Sequence, residues 1–279
     1  MMIVIFIALT SCEKDDNNGG DNNKAACLLT KATWSNSEDN RTESLTFKYD
    51  SNNRCIKVES NDFALNIEYN SNYKVSKISS SDYESAFTWT ASTLTKISKY
   101  KEGEDWIASN YKIVYNLDAD GKVTKEQYYN KQEDSSWIAS DRYYKYTWLG
   151  GNLVQQECWN TDDSSKKNKS LLFNKLFGIT KTNTLKSVND KIDYTVNYEF
   201  DDKHNAFSSV GMSWDVGIEI EAPGQVTKNN VKKASSGDSY VIYTYEYNDN
   251  GFPTKVSHID GTESGGTATY TTVYEYNCN

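Results

Sequence analysis

The side chains of this sequence best equipped for chemistry are its tryptophans, its cysteines and a few clustered carboxylates. Trp106, Trp137, Trp159 and Trp214 offer flat faces able to stack on sugar rings or other apolar ligands. The same rings, kept in strand phase, serve equally well as core. Cys27, Cys55, Cys158 and Cys278 show no Cys-x-x-Cys spacing for zinc or redox work. In an oxidising compartment they can pair, and a Cys27–Cys278 bridge joining the domain's ends is the first pairing to expect, with buried free thiols as the other reading. Two histidines, His204 and His258, are too few for a His-rich metal site, and no serine stands in a nucleophile-elbow context. Asn116, Asp118, Asp120 and Gly121 imitate the start of a calcium loop, but its twelfth position is Gln127, not Glu, and the segment falls where a hairpin turn is due. Asp162-Asp163, Asp201-Asp202 and Glu102-Gly103-Glu104-Asp105 are carboxylate clusters. A glycosidase needs two carboxyls held roughly 5–10 Å apart across a cleft, and neighbours on one loop read as solvated turn residues. The sequence therefore predicts no metal, no cofactor and no catalytic residue.

These residues sit in a chain built for strands. Its 279 residues include 21 Tyr, 7 Trp and 9 Phe but only 2 Pro, and aromatics favour pleated, half-buried positions. Residues 243–256 give the clearest unit. Tyr243, Tyr245 and Tyr247 alternate with Thr244 and Glu246, then Asn248-Asp249-Asn250-Gly251 makes a turn, and Pro253-Thr254-Lys255-Val256 returns. Degraded copies start at residue 45, with anchors Tyr49, Tyr69 and Trp89. Trp106-Ile107-Ala108-Ser109 recurs as Trp137-Ile138-Ala139-Ser140, and the same offset aligns Tyr115 with Tyr146, Glu126 with Glu157 and Tyr128 with Trp159. The return strands Val75-x-Lys77-Ile78, Leu94-x-Lys96-Ile97 and Pro253-x-Lys255-Val256 break strict alternation; a bulge would turn both apolar groups inward and leave Lys outside. Residues 171–177 are read as strand. About 18 short strands are too many for one flat sheet. The expected fold is all-β: an antiparallel meander of repeated hairpins, aromatics inward, curling into a partial or closed barrel over a single domain, 27–279. The repeat fails at 161–168 and 201–230.

The first residues read as a targeting segment. The apolar run 3–9 is too short for a membrane helix of roughly 20 residues. It ends in Leu9-Thr10-Ser11-Cys12, which resembles the bacterial lipoprotein box. That resemblance makes 1–11 a signal peptide and Cys12 the lipidated residue. Residues 12–26, polar and rich in Asn and Gly, read as a flexible tether. Cys12-Glu13-Lys14-Asp15-Asp16 resembles the export signal of Bacteroidetes-type surface lipoproteins, implying an outer-membrane lipoprotein exposed at the cell surface, with the periplasmic leaflet as the other location.

Taken together, Cys12 with its box, the serial hairpins, residues 201–207, Thr227-Lys228-Asn229-Asn230 and the 243–256 unit resemble a family of Bacteroidetes lipoproteins of unknown function with a porin-like β fold. The hairpins also resemble YD-type repeats. The resemblance implies a fold and a location and carries over no functional residue. A net charge of −9, with Lys and Arg scattered singly, argues against a nucleic-acid partner. The expected partners are a membrane, through the lipid anchor, and a glycan or protein ligand. The expected function is a non-catalytic surface binding or scaffold module. A glycan-acting hydrolase with its site in 201–230, or a structural subunit of an outer-membrane complex, stands beside it.

Overall fold

The computed structural model describes residues 27–36, 42–161, 191–208, 210, 222, 225–262 and 269–278. Among them, sixteen strands follow one another: β1 Cys27–Asn36, β2 Thr42–Tyr49, β3 Cys55–Glu59, β4 Ala64–Tyr69, β5 Val75–Ser79, β6 Tyr83–Trp89, β7 Thr93–Glu102, β8 Asp105–Leu117, β9 Val123–Lys131, β10 Trp137–Leu149, β11 Asn152–Asn160, β12 Lys191–His204, β13 Asn229–Ser236, β14 Ser239–Tyr247, β15 Pro253–Thr262 and β16 Thr269–Cys278. Each pairs antiparallel with its neighbours in sequence, and β1 pairs with β16, closing the sheet into a barrel. Residues 1–26, the 162–168 part of the irregular loop and 171–177 lie outside the described residues, so the expected signal peptide, Cys12, the tether and that additional strand do too.

The repeat is a turn joined to an aromatic clamp. Asp50, Asn70, Asp118 and Asn248 each accept, on one side-chain oxygen, the backbone N–H groups two and four residues on, at 2.8–3.0 Å. Such a side chain supplies the turn's acceptor locally. The Asn116–Gly121 segment is therefore the end of β8 and its hairpin turn. At the strand end before the turn, an aromatic reaches back to a backbone carbonyl of the preceding odd-numbered strand. Tyr49 donates to Leu29, Tyr69 to Cys55, Trp89 to Val75, Trp148 to Val123, Tyr245 to Val231 and Tyr276 to Pro253, all at 2.7–2.8 Å. The periodic aromatics are thus both core and clamp.

Register shifts after these turns do what the return strands' pattern suggested. Beyond the shift between Glu68 and Tyr69, Val75 and Ile78 are both buried while Lys77 pairs outside with Glu68. The third copy departs. Trp89 pairs Leu94 with no shift, so strict alternation turns Leu94 and Lys96 inward, and Ile97 is left exposed. Without the extra residue of a bulge, apolar groups three apart cannot share a face.

The inner face carries one continuous hydrophobic cluster, including Phe47, Leu94, Ile113, Tyr115, Tyr146, Tyr198, Tyr243 and Tyr274. The outer face carries cross-strand ion pairs: Lys31–Glu275, Lys48–Glu59, Lys99–Glu84 and Lys255–Glu246. That polarity is the reverse of a lipid-facing barrel, in which a charge at mid-depth costs about 2–4 kcal/mol. Strands β3 and β5, five residues each, also fall short of the roughly 9–11 residues that cross a bilayer. The outside of this barrel faces water.

The described parts of the β12–β13 connection, 205–208 and 225–228, pack against the barrel from two sides. Phe207 meets Phe47 on β2 and Tyr274 on β16 edge-on, at 6.4 and 5.9 Å. On the other side, the Gln225 side chain accepts from Val123 N–H at 2.7 Å and donates to the Gly121 carbonyl at 3.0 Å. Lys228 N–H donates to the carbonyl of Gly151, whose φ of +82° favours glycine and where an added Cβ would stand a tight 3.2 Å from the Lys228 Cβ.

Candidate functional site

Three of the four tryptophans singled out by type lie on the outer face of β8–β11. Trp106 and Trp137 begin β8 and β10, and Trp159 lies near the end of β11. Trp106 is 43% exposed, and Trp137 and Trp159 are half-buried. The inward placement expected of the aromatics therefore does not hold for these three. Trp214 lies outside the described residues.

The reason is a one-residue slip between the two duplicated hairpins. Leu117 pairs with Val123 in the first and Trp148 with Leu153 in the second. The second turn is one residue shorter, so the offset that aligns β8 with β10 misaligns β9 with β11. Glu126 corresponds in space to Gln156, and Tyr128 to Cys158, all on the inner face; Trp159 corresponds to outward Tyr129. A slip of one residue moves every side chain to the other face, which corrects the equivalences of Glu126 with Glu157 and of Tyr128 with Trp159.

Each ring in this strip carries a lysine. Lys99 lies 5.1 Å from the centroid of Trp106. Lys112 lies 4.8 Å from Trp137 and 5.3 Å from Tyr129. Tyr143 and Trp159 stack at 6.1 Å with 10° between planes. Lys125 sits 4.2 Å from Tyr143, and Lys145 3.8 Å from Trp159 and 5.7 Å from Tyr143. A cation over an aromatic face is worth about 0.5–1 kcal/mol when exposed, so the contacts hold the ammonium groups in place without neutralising them. Lys99 has a carboxylate, Glu84 at 2.9 Å. Among the described residues, Lys112, Lys125 and Lys145 have none within ion-pair distance. Glu157, opposite Lys145 in register, accepts instead from the Trp159 indole N–H at 3.0 Å.

Tyr129, Tyr143 and the three lysines are not among the residues picked out by type alone. A local signal for the tyrosines exists. Tyr128-Tyr129 and Tyr143-Tyr144 are doublets, and adjacent residues of a strand point to opposite faces, so one member of each must face water.

The other candidate chemistry is structural. Cys27 and Cys278 form a disulfide across the β1–β16 seam. Cys55 and Cys158 are buried free thiols; burial pushes Cys55 up to about 12 and Cys158 to about 11, which leaves both unreactive at neutral pH. Asp201 accepts from Asn230 N–H at 3.1 Å, from Lys203 N–H at 3.0 Å and from the Tyr247 hydroxyl. It clasps β12, β13 and β14 together. Asp202 is exposed and pairs with Lys203. Beside them, a cleft of about 260 Å³ is lined by Asp202, Lys203, His204, Tyr247 and Asn250, with His204 stacked on Phe252 at 4.8 Å. The Glu102–Asp105 cluster is a hairpin turn. Asp162 and Asp163 lie outside the described residues.

No family model matches this sequence, and no curated protein does. Among solved structures, the chain is similar to a porin-like protein from Bacteroides uniformis, with a TM-score of 0.52 and 11% identity over 89% of this chain and 96% of that one. It also aligns with a porin-like protein from Bacteroides vulgatus, with a TM-score of 0.47 and 11% identity over 89% of this chain and 98% of that one. The likeness to the first is one of fold.

Proposed function

We propose that this protein is a non-catalytic binding or scaffold module of a bacterial cell envelope, held to the outer membrane by a lipid on Cys12 and displaying its barrel at the surface. The observation that carries the binding role is the outer strip of Trp106, Trp137, Trp159, Tyr129 and Tyr143. Large aromatic surface on the wet face of a sheet is not required by the core, which the inner face already completes. Sugar rings suit such planes, and glycans are the favoured ligand class, with peptides next. The fold shared with a porin-like protein of Bacteroides uniformis and the lipoprotein-like Cys12 segment support the envelope setting.

A glycan array probed with the wild type and with Trp137→Ala/Trp159→Ala tests this reading. Binding that the double variant loses, at unchanged melting temperature, is expected. A wild type that binds no glycan or peptide ligand, or a double variant that binds like wild type, overturns it. Protease added to intact cells tests the location: a barrel left uncut while a known surface protein is cleaved rules out surface display.

A further inference from the structure

We infer that the ligand of the outer strip is an acidic polysaccharide, with an anionic group seated between Lys125 and Lys145 and sugar rings lying along Trp137 and Trp159. The inference rests on the strip being a binding face and names what that face selects.

Three observations lead to it. Lys125 and Lys145 are directly opposite each other on β9 and β10. Like charges in that position destabilise a sheet, and elsewhere on this barrel outward lysines such as Lys77 and Lys255 sit against glutamates. Here both ammonium groups instead hold to Tyr143, at 4.2 and 5.7 Å, with no carboxylate in ion-pair range among the described residues. The nearest acidic candidate in register, Glu157, is turned to the Trp159 indole. An ammonium has three donors and no acceptor, so an incoming carboxylate or sulfate finds donors that the described residues do not fill. Third, Lys112 between Trp137 and Tyr129 repeats the arrangement on adjacent strands. Two ring-and-cation groups thus follow one another along these strands, with Lys125 and Tyr129 four residues apart on β9, about 13 Å at roughly 3.3 Å per residue, as in a polymer of rings carrying periodic anions.

The rest of the molecule argues against a densely charged polyanion. The net charge is −9, so the long-range field repels a phosphate backbone with a charge at every nucleotide. A polysaccharide with an anion on every ring or every second ring meets less of that repulsion and can be held by short-range contacts at three lysines.

The test is isothermal titration of the intact barrel with polygalacturonate, hyaluronate and chondroitin sulfate, alongside fully methyl-esterified polygalacturonate and a single-stranded oligothymidylate. Expected is binding to at least one acidic polymer that weakens about tenfold between about 50 and about 300 mM NaCl. The Lys112→Gln/Lys125→Gln/Lys145→Gln variant should lose that binding while a control, Lys48→Gln/Lys77→Gln/Lys255→Gln, keeps it. Esterified polymer bound as tightly as the acid form, or a lysine variant that binds like wild type, overturns the acidic-ligand inference and leaves the binding face standing. Tighter binding to oligothymidylate overturns it in favour of nucleic acid. No binding to any acidic polymer overturns it outright, and silence of the neutral polymer and the array as well removes the binding face with it.

Discussion

Single side chains in this barrel act mainly by where a one-residue alternation puts them. Tyr128 and Tyr129 have the same chemistry, yet one packs in the core and the other faces Lys112 in water. The buried thiols show the other side of that placement. Burial raises Cys55 from 9.0 to about 12 and Cys158 from 9.0 to about 11, because an apolar interior disfavours the thiolate. Native protein at about pH 8 should leave both unmodified by iodoacetamide, and unfolding in urea should expose both; rapid native labelling would show the thiols to be accessible. The linkage has a definite sign. A folded-state value above the unfolded one gives stability that is full below pH 9.0 and lost as pH rises through about 11 to 12. Urea midpoints should fall across that window, and Cys55→Ala/Cys158→Ala should flatten the fall. The aromatic clamps can be tested as directly. Tyr245→Phe keeps the ring and removes the hydroxyl's bond to the Val231 carbonyl, so it should cost about 1 kcal/mol in urea unfolding.

At the level of the hairpin, the turn and its clamp explain why so degenerate a repeat holds its geometry. Asp118 Oδ1 serves two backbone donors, Asp120 and Lys122, at 3.0 and 2.8 Å. Asp118→Ala should therefore cost about 1–2 kcal/mol, whereas Asn116→Ala, at an exposed position two residues earlier, should cost little. Calcium should leave the melting temperature of the wild type unchanged; a calcium-dependent rise would make this turn a metal loop after all. Gln225, just before β13, acts on the same hairpin. Gln225→Ala removes both bonds to the 121–123 segment, and amide exchange at Val123 should accelerate while exchange in β2–β5 does not.

Across the whole molecule, closure is made by two distant segments. β1 and β16 pair over most of their length, and Cys27–Cys278 links them over a sequence separation of 251 residues. A crosslink closing so long a loop removes much unfolded-state entropy, about 5 kcal/mol in the chain-entropy account. Cys27→Ser/Cys278→Ser should lower the melting temperature markedly while leaving the far-ultraviolet circular dichroism unchanged below the transition. Loss of the β spectrum at room temperature would instead make the disulfide a condition of folding. The charged exterior and apolar interior also set an expectation for bilayers: the purified barrel should produce no conductance steps in a planar lipid membrane.

The alternation of Tyr, Thr and Lys, the Asn/Asp turns and the recurring anchors were enough to read an antiparallel meander of hairpins curling into a partial or closed barrel, because strand period and turn chemistry are local properties; closure through β1 and β16 is decided by the tertiary structure. Tyr49, Tyr69 and Trp89 could be placed as periodic anchors for the same reason. Face assignment around the bulges was not legible. Whether Ile97 or Lys96 points inward, and whether Trp159 matches Tyr128 or Tyr129, depends on turns that differ by one residue, and each such difference reverses a face. The candidate site follows from those reversals. Trp106, Trp137 and Trp159 could be named as ring-bearing residues from their type, but the lysines that arm them looked like scattered charge. Only pairing of β8 through β11 sets Lys125 opposite Lys145 and places Lys112 between two rings, since such contacts are made across strands rather than along the chain.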